Sequence, residues 1–175
     1  MKPPIERNAP AAPVVGDEAP DFTLPDAATG EPVRLAEFRR RDVLLVFFRG
    51  TWCPFCRAQM RVLTENYDAL SRAGIQVLGV VCQRRASVAR YLRASPLPFP
   101  LLADERRTVA RAYGVHYWLS VEGFNLAKPA MFVLDRDGQI TLRYVGANMR
   151  DLPLTTVLER FVGLLGQGSS SVASA

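Results

Sequence analysis

Cysteine and histidine are scarce in this chain, with three cysteines and one histidine among 175 residues. That is too few for a disulfide framework. Nor is one needed, because a chain of this length buries roughly 70% of its unfolded surface on folding and forms a core without staples. Long apolar runs are also missing: no stretch approaches about 18 uninterrupted apolar residues, which excludes a membrane-spanning helix. The opening segment, Met1 to Pro13, lacks the apolar block of a secretory signal. A cytoplasmic protein without membrane contact is expected. Lysine is nearly absent, since only Lys2 and Lys128 join the arginines in a total of 22 basic against 17 acidic residues, a net charge of +5. The arginines are dispersed. Their one dense run, Arg39-Arg40-Arg41, has no interleaved aromatics and reads as a solvated turn, so no nucleic-acid partner is expected.

What remains, 49% hydrophobic and 22% charged residues, is the composition of one ordinary globular domain. Residues 1–13 carry four prolines and residues 167–175 are small and polar, so both are expected to be disordered tails around a domain at 14–166. The runs Val43–Phe48 and Ile75–Val81 are near-continuously apolar, as parallel strands covered on both faces are. Between them Pro54–Arg72 has helical apolar spacing and stops at Gly74, completing a βαβ unit. Further helices are predicted from about Ser87 to Ala94 and from after Asp104 to near Gly114. Met131–Leu134 and Ile140–Val145 flank Asp137-Gly138 and should form an antiparallel hairpin. Asp151 can cap a last amphipathic helix. The expected fold is α/β, with a mixed central sheet flanked by helices.

The chemistry-bearing signal is Trp52-Cys53-Pro54-Phe55-Cys56, placed where the first central strand turns into its helix. Proline is tolerated at the first helical position, so Pro54 puts Cys53 at the N-cap, facing unpaired amides and the positive end of the helix dipole. With Arg49 and Arg57 close in sequence, the Cys53 thiolate is expected well below the ordinary thiol range, with Cys53 the more exposed of the pair and the nucleophile. Cys56, three residues on in the same turn, lies at about 5–6 Å between Cβ atoms, near enough to resolve a disulfide. A zinc site would need four ligands, and Cys82 and His116 stand at no zinc-module spacing, so no metal is expected. Cys82 ends the second central strand on the edge that presents Cys53, a candidate third thiol or simply a half-buried strand-end residue. His116 falls in a loop beside Tyr117 and Trp118 and receives no role.

On these residues the chain resembles the peroxiredoxin-like AhpC/TSA (redoxin) group of the thioredoxin-fold superfamily. The resemblance is carried by Val15-Gly16 with Ala19–Asp26, by Arg49–Cys56, by Phe99–Asp104, by Val109–Gly114 and by Pro129–Asp135, in that order. It implies a thioredoxin-like fold with an N-terminal β-hairpin extension, and a cis Pro129 beside the redox pair. In the peroxiredoxin register Cys56 falls on the peroxide-attacking cysteine, Arg49 on the motif proline and Cys53 on the motif threonine. Pro129 falls where such enzymes bring an arginine. Arg49 and Thr51 remain as hydrogen-bond donors toward a peroxide. The implied activity is a thiol-dependent antioxidant oxidoreductase that reduces hydrogen peroxide or organic hydroperoxides without a cofactor and is recharged by a thioredoxin- or glutaredoxin-type reductant. A thiol:disulfide oxidoreductase acting on protein disulfides and a non-catalytic redox-sensing module stay open, as does a homodimer.

Overall fold

In a computed structural model of the chain, residues 12–120 and 123–147 are described. The helix expected from Asp151 and both predicted tails, except for residues 12 and 13, lie outside them. The expected βαβ unit is present as β3 (Asp42–Phe48), α1 (Pro54–Arg72) and β4 (Ile75–Val81), with β3 and β4 parallel in a register that opposes Phe48 to Val81. Gly74, at φ +80°, adopts the left-handed conformation that terminates a helix without a Cβ penalty. β5 (Leu101–Ala103) extends the sheet in parallel on β4, while β8 (Ala130–Leu134) runs antiparallel on the other side of β3 and pairs with β9 (Ile140–Val145). The order β5-β4-β3-β8-β9 is the mixed sheet expected. The N-terminal hairpin is present too, as β1 (Thr23–Pro25) and β2 (Pro32–Arg34).

Side chains alternate across a strand, and the alternation divides the core in two. Leu44, Val46 and Phe48 of β3 join Val77 and Val81 of β4 on the face covered by α1 and by α2 (Arg85–Ala94). Val43, Leu45 and Phe47 join Leu78, Val80 and Cys82 on the opposite face, covered by the N-terminal hairpin and by α3 (Thr108–Ala112). There Phe47, Tyr113 and Phe132 pack ring against ring, with centroids 5.0 to 5.8 Å apart. Tyr113 satisfies its buried hydroxyl by donating to the Pro20 carbonyl at 2.9 Å.

Three expectations change. α2 begins at Arg85, two residues early, because its first amide donates to Glu105 Oε1 at 2.8 Å, a partner from another loop that does the work of a local cap. His116 is in a strand, not a loop: β6 (His116–Ser120) pairs antiparallel with β7 (Gly123–Ala127) in a ribbon outside the central sheet. Pro129 is trans, and no described peptide is cis. Trans is the lower-energy isomer for most X-Pro bonds. Here it fits the backbone bonds on either side, Lys128 N–H to the Val115 carbonyl at 2.7 Å and Gly146 N–H to the Pro129 carbonyl at 2.8 Å.

Candidate active site

The segment Arg49–Cys53 carries the chain from the end of β3 to the start of α1. Pro54 occupies N1 and Cys53 the extended N-cap, at φ −79° and ψ 122°, as the spacing predicted. Pro129 lies at the same end of the sheet, one residue before Ala130, which opposes Phe47. A Cβ on Gly50 would run into the Trp52 indole, so glycine lets the ring fold back over the loop. Trp52 then stacks on the Arg49 guanidinium, 5.3 Å from the ring centroid, while remaining 49% exposed.

Cys53, Cys56 and Cys82 are all free thiols and all buried. The expectation that Cys53 is the more exposed of the pair is incorrect, since Cys53 and Cys56 are equally inaccessible at 2% and share the apolar cluster under α1. The N-cap position leaves the helix amides available without opening the sulfur to water. Electrostatics separate the two instead. Burial pushes the Cys53 thiol up, but the Cys56 and Phe55 amides, the Cys56 side chain and the Arg49 guanidinium more than offset this, and its pKa lies below the ordinary value. At Cys56 burial dominates, reinforced by the charge on Cys53, and its pKa rises to about 11.

Arg57 is engaged by the loop and by α2. Its Nε donates to the Thr51 carbonyl at 2.6 Å and its guanidinium lies over the Tyr91 ring. Thr51 is also held from the other side, because its amide donates to Gln83 Oε1 at 2.7 Å. Thr51 is thus held at both its amide and its carbonyl. Arg49, 1% exposed, donates from Nε to the Tyr117 hydroxyl at 3.3 Å and reaches the Cys53 thiol. These contacts raise its own pKa against the opposing effect of burial. Gln83 and Tyr117 were not singled out from the sequence. Gln83 could have been, since it follows Cys82 at the strand edge facing the loop; Tyr117 had no signal.

Cys82 reaches the predicted edge of the sheet but packs on the opposite face from Cys53 and Cys56. Burial and the nearby Asp104 carboxylate push its thiol up to about 12 against the pull of Arg107 and Arg111. Asp104 is fully buried and is used structurally, accepting the Thr108 and Ala110 amides at the start of α3. Among the described residues no group of three or more histidine, cysteine, aspartate or glutamate side chains is placed to hold a metal ion, and no helix is long and apolar enough to cross a membrane.

Residues 15–143 match the AhpC/TSA family. Peroxiredoxin Bcp of Escherichia coli is 35% identical over 127 residues, covering 71% of this chain and 81% of its own. Thiol-disulfide oxidoreductase ResA of Geobacillus thermodenitrificans is 32% identical, covering 72% of this chain and 66% of its own. The fold also matches the solved thiol peroxidase from Chromobacterium violaceum, with a TM-score of 0.76 at 22% identity over 91% of this chain and 90% of that one. The thioredoxin-like fold built around a thiol pair thus has its family: the chain belongs to the AhpC/TSA family and is a thiol-dependent oxidoreductase.

Proposed function

We propose that the protein reduces hydrogen peroxide or organic hydroperoxides, with Cys53 as the attacking thiol and Cys56 as the resolving thiol. The observation that carries this reading is the contrast within one helical turn: Cys53 is poised toward thiolate by the α1 amides and Arg49, while Cys56 is held as a thiol. Bcp, named a peroxiredoxin, supports peroxide as the substrate. The Cys53 thiolate attacks one peroxide oxygen, the O–O bond breaks, and the departing oxygen takes a proton and leaves as water or an alcohol. Cys53 becomes a sulfenic acid. The Cys56 sulfur then attacks Cys53 Sγ, expelling water and forming the disulfide, and two electrons from a thioredoxin- or glutaredoxin-type dithiol restore the pair.

A second reading has the same pair exchanging with protein disulfides. It is favoured by the likeness to ResA and by Trp52 and Phe55, large apolar side chains 49% and 42% exposed on either side of Cys53. Stopped-flow oxidation of the reduced protein by hydrogen peroxide, with trapping of the sulfenic acid, separates the two. Oxidation much faster than that of a free thiol is expected. A rate no faster, accompanied by rapid reduction of a protein disulfide, would transfer the function to disulfide exchange.

A further inference from the structure

We propose that Tyr117 is a positioning residue of the redox centre, aiming the Arg49 guanidinium at Cys53 from strand β6. The inference rests on the reading of Cys53 as the attacking thiol and adds to it a group 68 residues away in sequence from the arginine it orients.

Arg49 is 1% exposed, so bulk water does little to set the direction of its guanidinium; the surrounding protein does. A guanidinium is a rigid plane with five N–H donors in fixed directions. Neighbouring side chains therefore set its pose. The Trp52 indole stacks at 5.3 Å and sets the tilt of the plane, while the Tyr117 hydroxyl, accepting from Nε at 3.3 Å, sets the rotation within it. With Nε turned to Tyr117, the group is oriented as it meets the Cys53 thiol.

The loop between Arg49 and Cys53 is fixed by other means, through Gln83 on the Thr51 amide and Arg57 on the Thr51 carbonyl. What is left for Tyr117 to set is the orientation of the guanidinium and not the path of the backbone. Its own strand is braced, because Tyr117 is paired with Leu126 and the ribbon closes through Lys128 N–H on the Val115 carbonyl at 2.7 Å. Arg49, Cys56 and the first α1 amides favour the Cys53 thiolate, and Arg57 is engaged with Thr51 and Tyr91. Removing the hydroxyl should therefore weaken the stabilisation of the thiolate without unfolding the site.

The test is the pH dependence of iodoacetamide alkylation of Cys53 in a Cys56→Ser, Cys82→Ser background, with and without Tyr117→Phe. The midpoint should rise by about half a pH unit to one unit in Tyr117→Phe, or about three- to tenfold slower alkylation below the midpoint, since one unit is a tenfold change in thiolate. The melting temperature should stay close to that of the background. In an Arg49→Met background, adding Tyr117→Phe should produce no further shift, because the tyrosine acts through the arginine. A low midpoint that Tyr117→Phe leaves in place, or an equal shift with Arg49 absent, overturns the proposal alone. A background midpoint at or above the ordinary thiol range overturns the reading of Cys53 and the role of Tyr117 with it.

Discussion

The two faces of the central sheet each hold buried cysteine, and Cys53 on one face and Cys82 on the other are shifted in opposite directions. Cys53 under α1 is 2% exposed and Cys82 on the far face is 3% exposed, yet the first is drawn toward thiolate and the second is pushed up to about 12. Accessibility does not distinguish them. The difference lies in what meets the sulfur: helix amides and a guanidinium on one face, and on the other an apolar layer and the Asp104 carboxylate, which together outweigh Arg107 and Arg111. Burial raises the energy of an anion in both places, and only where fixed dipoles and a positive charge converge is that cost overcome.

The largest expected effect breaks the comparison directly. Cys53→Ser should abolish peroxide-driven oxidation in stopped-flow measurements, whereas Cys82→Ser should leave its rate unchanged. Cys56→Ser should keep the first oxidation and lose the disulfide, so that a trappable sulfenic acid accumulates. An equal loss in Cys82→Ser would erase the distinction between the faces.

Next in size is a change on the aromatic face. Phe132 is fully buried against Phe47 and Tyr113, and Phe132→Ala should cost about 3–5 kcal/mol in urea unfolding, the usual range for emptying an aromatic core site. The alkylation midpoint of Cys53 should not follow, because the ring lies on the other side of the sheet. A coupled shift would mean that the two faces do not act separately.

A smaller effect concerns alkaline pH. Cys56 and Cys82 hold their protons in the folded state to about 11 and about 12. The unfolded chain releases them near the ordinary value of about 8.5, so their contribution is fully present below that pH and is lost as pH rises above it. Each thiol should subtract up to about 1.4 kcal/mol of stability per pH unit in that window. Cys82→Ala, after a baseline loss of about 1 kcal/mol, should flatten the decline seen in urea titrations between pH 8 and pH 10. An unchanged slope would place Cys82 in a less apolar setting than its packing implies.

Much of the architecture was legible because it is local. The apolar runs of β3 and β4 and the Pro54–Arg72 helix, stopped at Gly74, are set by period and punctuation, and they were located to within a residue at their ends. The face that Cys82 occupies was also readable: it shares the even parity of Leu78 and Val80, while Val77 and Val81 point to the α1 side. Position along a strand places a residue at an edge, and parity decides which side it serves. Tyr117 to Arg49 and Glu105 to the start of α2 were not legible, because they join distant segments without a local signal, whereas Gln83, which meets Thr51, was signalled only by its place after Cys82. Arg57, next to Cys56 in sequence, is engaged by the Thr51 carbonyl and the Tyr91 ring, contacts its position in the motif did not reveal.

The peroxiredoxin register and the electrostatics of the helix start assign the attack to different sulfurs, and titration of single-thiol proteins decides between them. Iodoacetamide alkylation is followed across pH in three variants that each retain one cysteine, made by combining Cys53→Ser, Cys56→Ser and Cys82→Ser in pairs. The account predicts that Cys53 alone reacts with a midpoint below the ordinary thiol range, and that Cys56 and Cys82 remain protonated well into the alkaline region. A low midpoint at Cys56 with an elevated one at Cys53 would contradict it and return the attacking role to Cys56.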